Sequence, residues 1–445
     1  MSSGNTERNM TDTQMAQAVP MTGIAEKVGA HLKRRHAAEQ RFKAYGIASI
    51  VMAVTFLAIL MTSIIGRGAS AFVQSEMQLT VTFDGSVIDP DGTHTRAVLN
   101  AADYAALVRT SITSLFPETA DNRAAKRELM SLVSTGAEEV IRKMVIADPT
   151  LIGQTRTLWV PVAASVDQMI KGHMSRSAEN GGQFSDRQLT WIDAMTAKGL
   201  IKTHFNTWLW TQGDSRQPEL AGLWGAVVGS FFSLVITLLL SFPLGVATAI
   251  YLEEFAGENR WTDLIEVNIN NLAAVPSIVF GLLALEMFLN VFGLPRSAPF
   301  VGGLALTLVS LPTIIIASRV ALKAVPPWIR EAALGLGASR LQMVIHHVLP
   351  LAMPGILTGT IIGMARAVGE SAPLLMIGMV AFIVDIPATP MDPSTALPVQ
   401  IYLWAASPER AFVERTSAAI IVLLLFLACM NAGAIYLRKK FERRW

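Results

Sequence analysis

Six stretches of this chain are long and apolar enough to cross a lipid bilayer: residues 44–66, 221–251, 267–294, 301–322, 350–384 and 416–437. A spanning helix needs about 20 consecutive apolar residues. Buried helices of soluble proteins are usually far shorter. The sequence therefore predicts an all-α polytopic membrane protein with six transmembrane helices. Composition agrees, with 16% charged residues against about 25% in ordinary soluble domains. The first run is too long and begins too late for a signal peptide.

Charge sets the expected orientation, because basic residues gather on the cytoplasmic side. Lys33, Arg34, Arg35, Arg41 and Lys43 precede the first run, and Arg438, Lys439, Lys440, Arg443 and Arg444 follow the last. Both termini are expected in the cytoplasm. Lys323, Arg330 and Arg340 in the 323–349 loop fall inside by the same count. The 252–266 loop also falls inside, yet it is acidic: Glu253, Glu254, Glu258, Asp263 and Glu266. Acidic residues weigh little in the rule, so this loop neither supports nor breaks the topology. A formal net charge of +2 points away from nucleic acid. With the single cysteine Cys429, no intrachain disulfide can form.

Along the chain, residues 1–43 read as a basic cytoplasmic tail. Residues 1–30 lack apolar periodicity and are expected to be disordered. Residues 31–43 read either as a basic helix on the membrane surface or as a charge cluster that sets topology. After the 44–66 span, residues 67–218 form an inserted extracytoplasmic α+β domain. "LTVTF" at 79–83 alternates as a half-buried strand, and "DGSVIDPDG" supplies turns. Helical patterns follow at 100–116 and 123–146, with Asp121 as N-cap, and at 186–210. His173 and His204 are isolated and suggest no catalysis. Residues 219–445 hold the other five spans.

No phosphate-cradling G-x-x-x-x-G-K-[ST] occurs, so the chain cannot hold ATP by itself. No Cys/His set has metal-ligand spacing, and His346 and His347 point about 100° apart on a helix. Two features remain. The first is the 326–349 loop, with "EAALGLGASR" at 331–340. Pro326 and Pro327 suit a helix start, Gly337 allows a sharp end, a second short helix starts near Arg340, and Pro350 opens the next span. Such a helix is either an amphipathic connector or a rigid handle for another protein. The second is "ARAVGESAPLL" at 365–375. A mid-span arginine costs about 2.5–3.5 kcal/mol on insertion scales, so Arg366 must face protein or water. Arg366 and Glu370 are spaced i,i+4 and fall on one helical face. Gly369 and Pro373 let the helix bend or break. The pair is either structural or a positive site on an anion path. Glu286 in the third span could join the same network, and Arg319 is expected to snorkel to the interface.

"EAALGLGASRLQMVIHHVLP" resembles the EAA loop of ABC importer permeases through Glu331, Ala332, Ala333, Gly337, Leu349 and Pro350; His347 departs from a common Ile. "AAVPSIVFGLLAL" at 273–285, "ARAVGESAPLL" and "ALPVQIYLWA" at 396–405 resemble the PstA family of phosphate permeases. "PELAGLWGAVVGS" at 218–230 resembles its variant with an extra outer domain. The resemblance implies a type I ABC importer permease fold in a bacterial inner membrane. It implies that the loop docks into a separate ATPase subunit and that Arg366 and Glu370 act in phosphate movement. Many members carry an arginine at the position of Ile316, one turn from Arg319, which with Glu286 completes the expected substrate path. Expected partners are a homologous PstC-like permease, PstB-like ATPase subunits, a PstS-like binding protein and membrane lipid. No cofactor or enzymatic activity is expected of this chain, since ATP is used by the partner. The alternatives are a permease for another oxyanion, such as molybdate or sulfate, and a signalling subunit that senses through its outer domain.

Overall fold

The computed structural model describes residues 21–119, 121–176, 184–257 and 259–441. Contacts divide the chain into two units, Met1–Ser63 and Ile64–Trp445. In the first unit the described residues belong to helix α1 (Met21–Gly68). The basic stretch 31–43 continues into its apolar run without a break. Phe42, Ile50 and Phe56 are all exposed, as suits a helix surrounded by lipid. Of the expected disordered tail, residues 1–20 lie outside the described residues, and the chain is helical from Met21. Arg443 and Arg444 lie outside them too.

In the second unit, the segment between α1 and residue 220 carries a three-stranded antiparallel sheet in the order β2-β1-β3. The strands are β1 (Val73–Thr82), β2 (Thr155–Pro161) and β3 (Ile201–Phe205). Alternation decides the faces: Met77, Leu79, Val81 and Phe83 are fully buried. Thr80 and Thr82 point outward, their hydroxyls 3.4 and 3.0 Å from those of Thr157 and Thr155. One apolar core unites the sheet with α2 (Tyr104–Leu115), α3 (Gly136–Ala147) and α4 (Asp186–Ala197) through Ile112, Ile141, Ile192 and neighbours. The 123–146 pattern is two helices, Arg123–Met130 and α3. Asn122, not Asp121, caps the first, accepting from the N–H groups of Ala124 and Ala125. The 186–210 stretch is not one helix either: α4 stops at Ala197, and the chain pairs as β3 before a short helix at Trp208–Thr211.

The bundle is built from α5 (Trp224–Phe255), α6 (Arg260–Ala274), α7 (Ser277–Val291), α8 (Pro299–Lys323), α9 (Pro327–Gly335), α10 (Arg340–Gly369), α11 (Leu397–Ala405) and α12 (Ala411–Phe441). Among the described residues, five helices (in α1, α5, α8, α10 and α12) are long and apolar enough to cross a membrane, and six if α6 and α7 count as one span. That pair corrects the expected 267–294 helix, because it bends by 102°. Pro276 is the cause: it pushes the preceding residue out of the helical region, and Val275 sits at φ −67°, ψ 133°. The expected 350–384 span is also revised. α10 ends at Gly369, Ala372–Met376 forms one short helix, and the chain is irregular to Ala396. Residues 374–379 are apolar because they are buried: Leu374, Ile377 and Met379 pack with Ala284, Val301 and Met364. Pro350 stands in the first turn of the α-helical stretch Leu349–Gly369, which the start of α10 joins without a gap. The carbonyl of His346, which a proline four residues on cannot bond, falls in a wider π-helical turn, Val344–Val348.

Close packing holds the bundle together. The Ser233 hydroxyl donates to the Pro299 carbonyl (3.1 Å) and Thr237 to Gly303 (3.2 Å), joining α5 to α8. Small residues Gly355, Gly359 and Gly363 on α10 face Ala321, Ala317 and Ile314 on α8, an arrangement that lets helix backbones approach in lipid. The sheet-bearing segment is fastened to the first turn of α12 by a buried ion cluster. Lys171 lies 2.7 Å from Asp167 and 2.9 Å from Glu414, with all three side chains at most 6% exposed. Gln168 also donates to Glu414, and the Ser75 N–H donates to Asp167 (2.8 Å). Nearby, Ser134 donates to the Glu219 carboxylate (2.7 Å), whose pKa burial raises above its ordinary value.

Candidate functional site

The 326–349 segment takes its form from local chemistry. Pro326 precedes α9 and Pro327 occupies its first turn, where a missing N–H costs nothing. The chain leaves α9 through Gly337 at φ +87°, a left-handed conformation that favours glycine. Ser339 then caps α10 in a reciprocal capping box with Gln342. Ala333 anchors α9 in an apolar cluster with Val246, Leu322, Met343 and Val348. The opposite face is open: Glu331, Ala332, Trp328 and Leu334 are exposed, and Leu336 is 91% exposed. Leu349 and Pro350 lie on α10, half-buried. Pro350 lines an apolar hollow of ≈ 760 Å³ with Trp328, Ile329, His346 and His347.

The second charged locus is at the other end of α10. Glu370 is the residue where the helix stops, at φ −82°, ψ 108°, and its side chain still meets Arg366 in the i,i+4 relation the spacing predicts. The guanidinium Nε lies 3.5 Å from Glu370 Oε1, and the Arg366 side chain stays 45% exposed. Among the described residues it makes no hydrogen bond. Behind this break the Gly281 face of α7 meets Pro373 so closely that a Cβ on Gly281 would lie 2.7 Å from the Pro373 Cα. Glu286 stands apart from the pair: it is exposed and accepts a hydrogen bond from Asn290 (2.7 Å).

Arg319 does not snorkel outward. Its side chain, 15% exposed, donates to Glu266, and its Nε lies 3.5 Å from Glu253. Lys323 approaches Glu253 at 3.7 Å. Arg330, at the start of α9, forks onto Glu254 with Nε–O distances of 3.1 and 3.2 Å and an Nη2–O distance of 2.7 Å. It also donates to the carbonyls of Val325 (2.7 Å) and Leu322 (2.9 Å). The acidic 252–266 loop is conspicuous in the sequence, yet its role is visible only in these contacts. Its charge balance against Lys323 and Arg330 was the available signal; no spacing rule pairs residues so far apart.

A cavity of ≈ 500 Å³ lies where the sheet-bearing segment meets the bundle, lined by Asp103, Glu138, Glu139, Arg142 and Asp214 among others. Burial raises the carboxyls of Glu138 and Asp214. Four acids to one arginine is a poor host for an anion, so this cavity is not the counterpart of Arg366.

A family model described as "Binding-protein-dependent transport system inner membrane component" matches residues 241–445, and a "Domain of unknown function (DUF3333)" matches residues 29–180. "Phosphate transport system permease protein PstA 1" of Mycobacterium tuberculosis (strain ATCC 25618 / H37Rv) is 31% identical over 259 residues, 58% of this chain and 82% of that protein. The PstA of Mycobacterium leprae is 32% identical, over 58% of this chain and 84% of its own length. That of Haemophilus influenzae is 31% identical, over 53% and 81%. With an open arginine at the end of α10, an exposed helix beside a charged cluster, and kinship over most of the length of these relatives, the chain belongs to the PstA family of phosphate transport system permeases, inner membrane components of binding-protein-dependent transport.

Proposed function

We propose that this chain is the membrane-spanning subunit of an ATP-driven importer of inorganic phosphate, with a type I importer permease fold. The observation that carries the reading is Arg366. An arginine in an apolar helix is costly, and this one keeps its guanidinium nearly half exposed beside a loosely held carboxylate. A guanidinium so placed offers charge-assisted hydrogen bonds to phosphate oxygens. Glu370 orients it and limits the hold on the anion, since conduction requires release. The charge of Arg319 is already balanced by Glu253 and Glu266, so we assign Arg319 to the opposite end of the bundle and not to the anion.

In this reading both termini lie in the cytoplasm of a bacterial inner membrane, and residues 67–218 lie outside it. A PstS-like binding protein delivers phosphate, and a PstC-like permease completes the path across the exposed Arg366 face. PstB-like subunits hydrolyse ATP and grip the open face of α9 at Glu331 and Ala332, while Ala333 seats the helix on the bundle and Gly337, Leu349 and Pro350 shape the loop. The chain binds no cofactor of its own. Uptake of labelled phosphate in a strain lacking this chain tests the reading. Restored uptake that unlabelled phosphate suppresses and sulfate and molybdate do not is the expected result. Equal competition by molybdate or sulfate would overturn the substrate assignment.

A further inference from the structure

We propose that Glu254, seconded by Glu253 and Glu266, is a positioning residue that clamps α9 to the end of α5, so that force applied to α9 enters the bundle through α5. The proposal rests on the importer reading above and goes further by naming the route.

Three acids from α5 and α6 meet three bases from α8 and α9: Glu253, Glu254 and Glu266 against Arg319, Lys323 and Arg330. The Arg330–Glu254 contact is the tightest. The Glu254 side chain is 5% exposed, so it would be costly if left alone, and the Arg330 fork satisfies both its oxygens. The remaining guanidinium donors hold the Leu322 and Val325 carbonyls at the end of α8. One side chain thus joins α9, α8 and α5, and planar bidentate geometry resists rotation as a point charge would not. Glu253 and Glu254 sit in a π-helical turn, Tyr251–Phe255, a device often found at functional positions.

From this clamp α5 runs the depth of the bundle. Along it Ser233 and Thr237 bond to α8. At its far end the Ser230 hydroxyl accepts from the Leu397 N–H (2.8 Å), and the Ser394 hydroxyl donates to the Gly225 carbonyl (3.1 Å). The clamped end of α5 and the irregular 377–396 segment that follows the Arg366 break are therefore connected by one continuous helix. The acidic 252–266 loop, an exception to the basic pattern of its side, is acidic because it must face these bases.

The test uses the assembled transporter with its binding protein in proteoliposomes, reading phosphate imported per ATP hydrolysed together with retention of the ATPase subunits. Glu254→Gln keeps shape and an acceptor but removes the charge. We expect it to retain the ATPase and continue hydrolysis while import per ATP falls by about tenfold, within the range of ordinary coupling between sites. Reversal of the pair, Glu254→Arg with Arg330→Glu, should restore part of the ratio. Should Glu254→Gln fail to assemble, Glu253→Gln, which relaxes only the Arg319 and Lys323 side, should lower the same ratio by a smaller factor. A wild-type ratio in the assembled variant would overturn the clamp. If the unmodified complex imports no phosphate at all, it is the importer reading that fails.

Discussion

Arg330 and Arg366 are two arginines in one bundle with opposite surroundings. Arg330 is enclosed: a bidentate carboxylate and two carbonyls take its donors, at 21% side-chain exposure. Arg366 is open: one carboxylate oxygen at 3.5 Å, no hydrogen bond among the described residues, and 45% exposure. A charge that serves architecture is saturated by its own chain, because an unpaired buried charge is expensive. A charge that serves a passing anion must keep donors free. The contrast weighs against reading Arg366–Glu370 as a structural pair.

The contrast can be broken at several points. The largest effect is expected at a third, fully enclosed cation. Lys171→Met removes the ammonium that Asp167 and Glu414 share, and breaking a buried pair costs about 3–5 kcal/mol. Thermal unfolding of the purified complex should show that loss; an unchanged Tm would mean the cluster is not the fastening of the sheet-bearing segment. Arg366→Gln should behave in the opposite way. Hydrogen bonds to charged groups contribute about 1.5–3 kcal/mol, so uptake should drop by about tenfold to a hundredfold while Tm and subunit composition hold. Dissociation in detergent with normal uptake in cells would show that Arg366 is architectural after all.

A smaller effect is expected on the exposed face of α9. Leu336→Asp removes the most exposed leucine of the loop, and losing one apolar anchor at an interface costs about 1–2 kcal/mol. Retention of the ATPase on an affinity column should fall without a change in Tm. Full retention would move docking elsewhere. The smallest effect concerns Glu219. Burial raises its carboxyl above the ordinary 4.5, so the folded chain keeps a proton that the unfolded chain releases. The contribution of this group to stability is therefore fully present in acid and declines as pH rises from 4.5 through the raised value. Glu219→Gln keeps the acceptor for Ser134 and should gain Tm relative to the parent as pH rises across that window. A difference that does not change with pH would rule out this titration.

The sequence by itself determined what depends on neighbours along the chain. Apolar runs marked the long helices, alternation marked the buried face of β1, and Pro327, Gly337 and the Ser339 box shaped the 326–349 segment. Arg366 was legible because a charge in an apolar run is conspicuous. Tertiary structure decided whatever depends on partners distant in sequence. Residues 370–384 are as apolar as a span, and only the break of the helix at Gly369 and the burial of Leu374, Ile377 and Met379 against α7 and α8 show that composition there reflects packing and not a bilayer crossing. The bend at Pro276 was hidden for a related reason: proline tells that a helix can break, but the packing around it sets the angle. The acidic loop had no local explanation, because Glu254 lies 76 residues from Arg330 and no sequence period links them. Whether a charge is closed or open is a property of what surrounds it, and that surrounding exists only once the chain has folded.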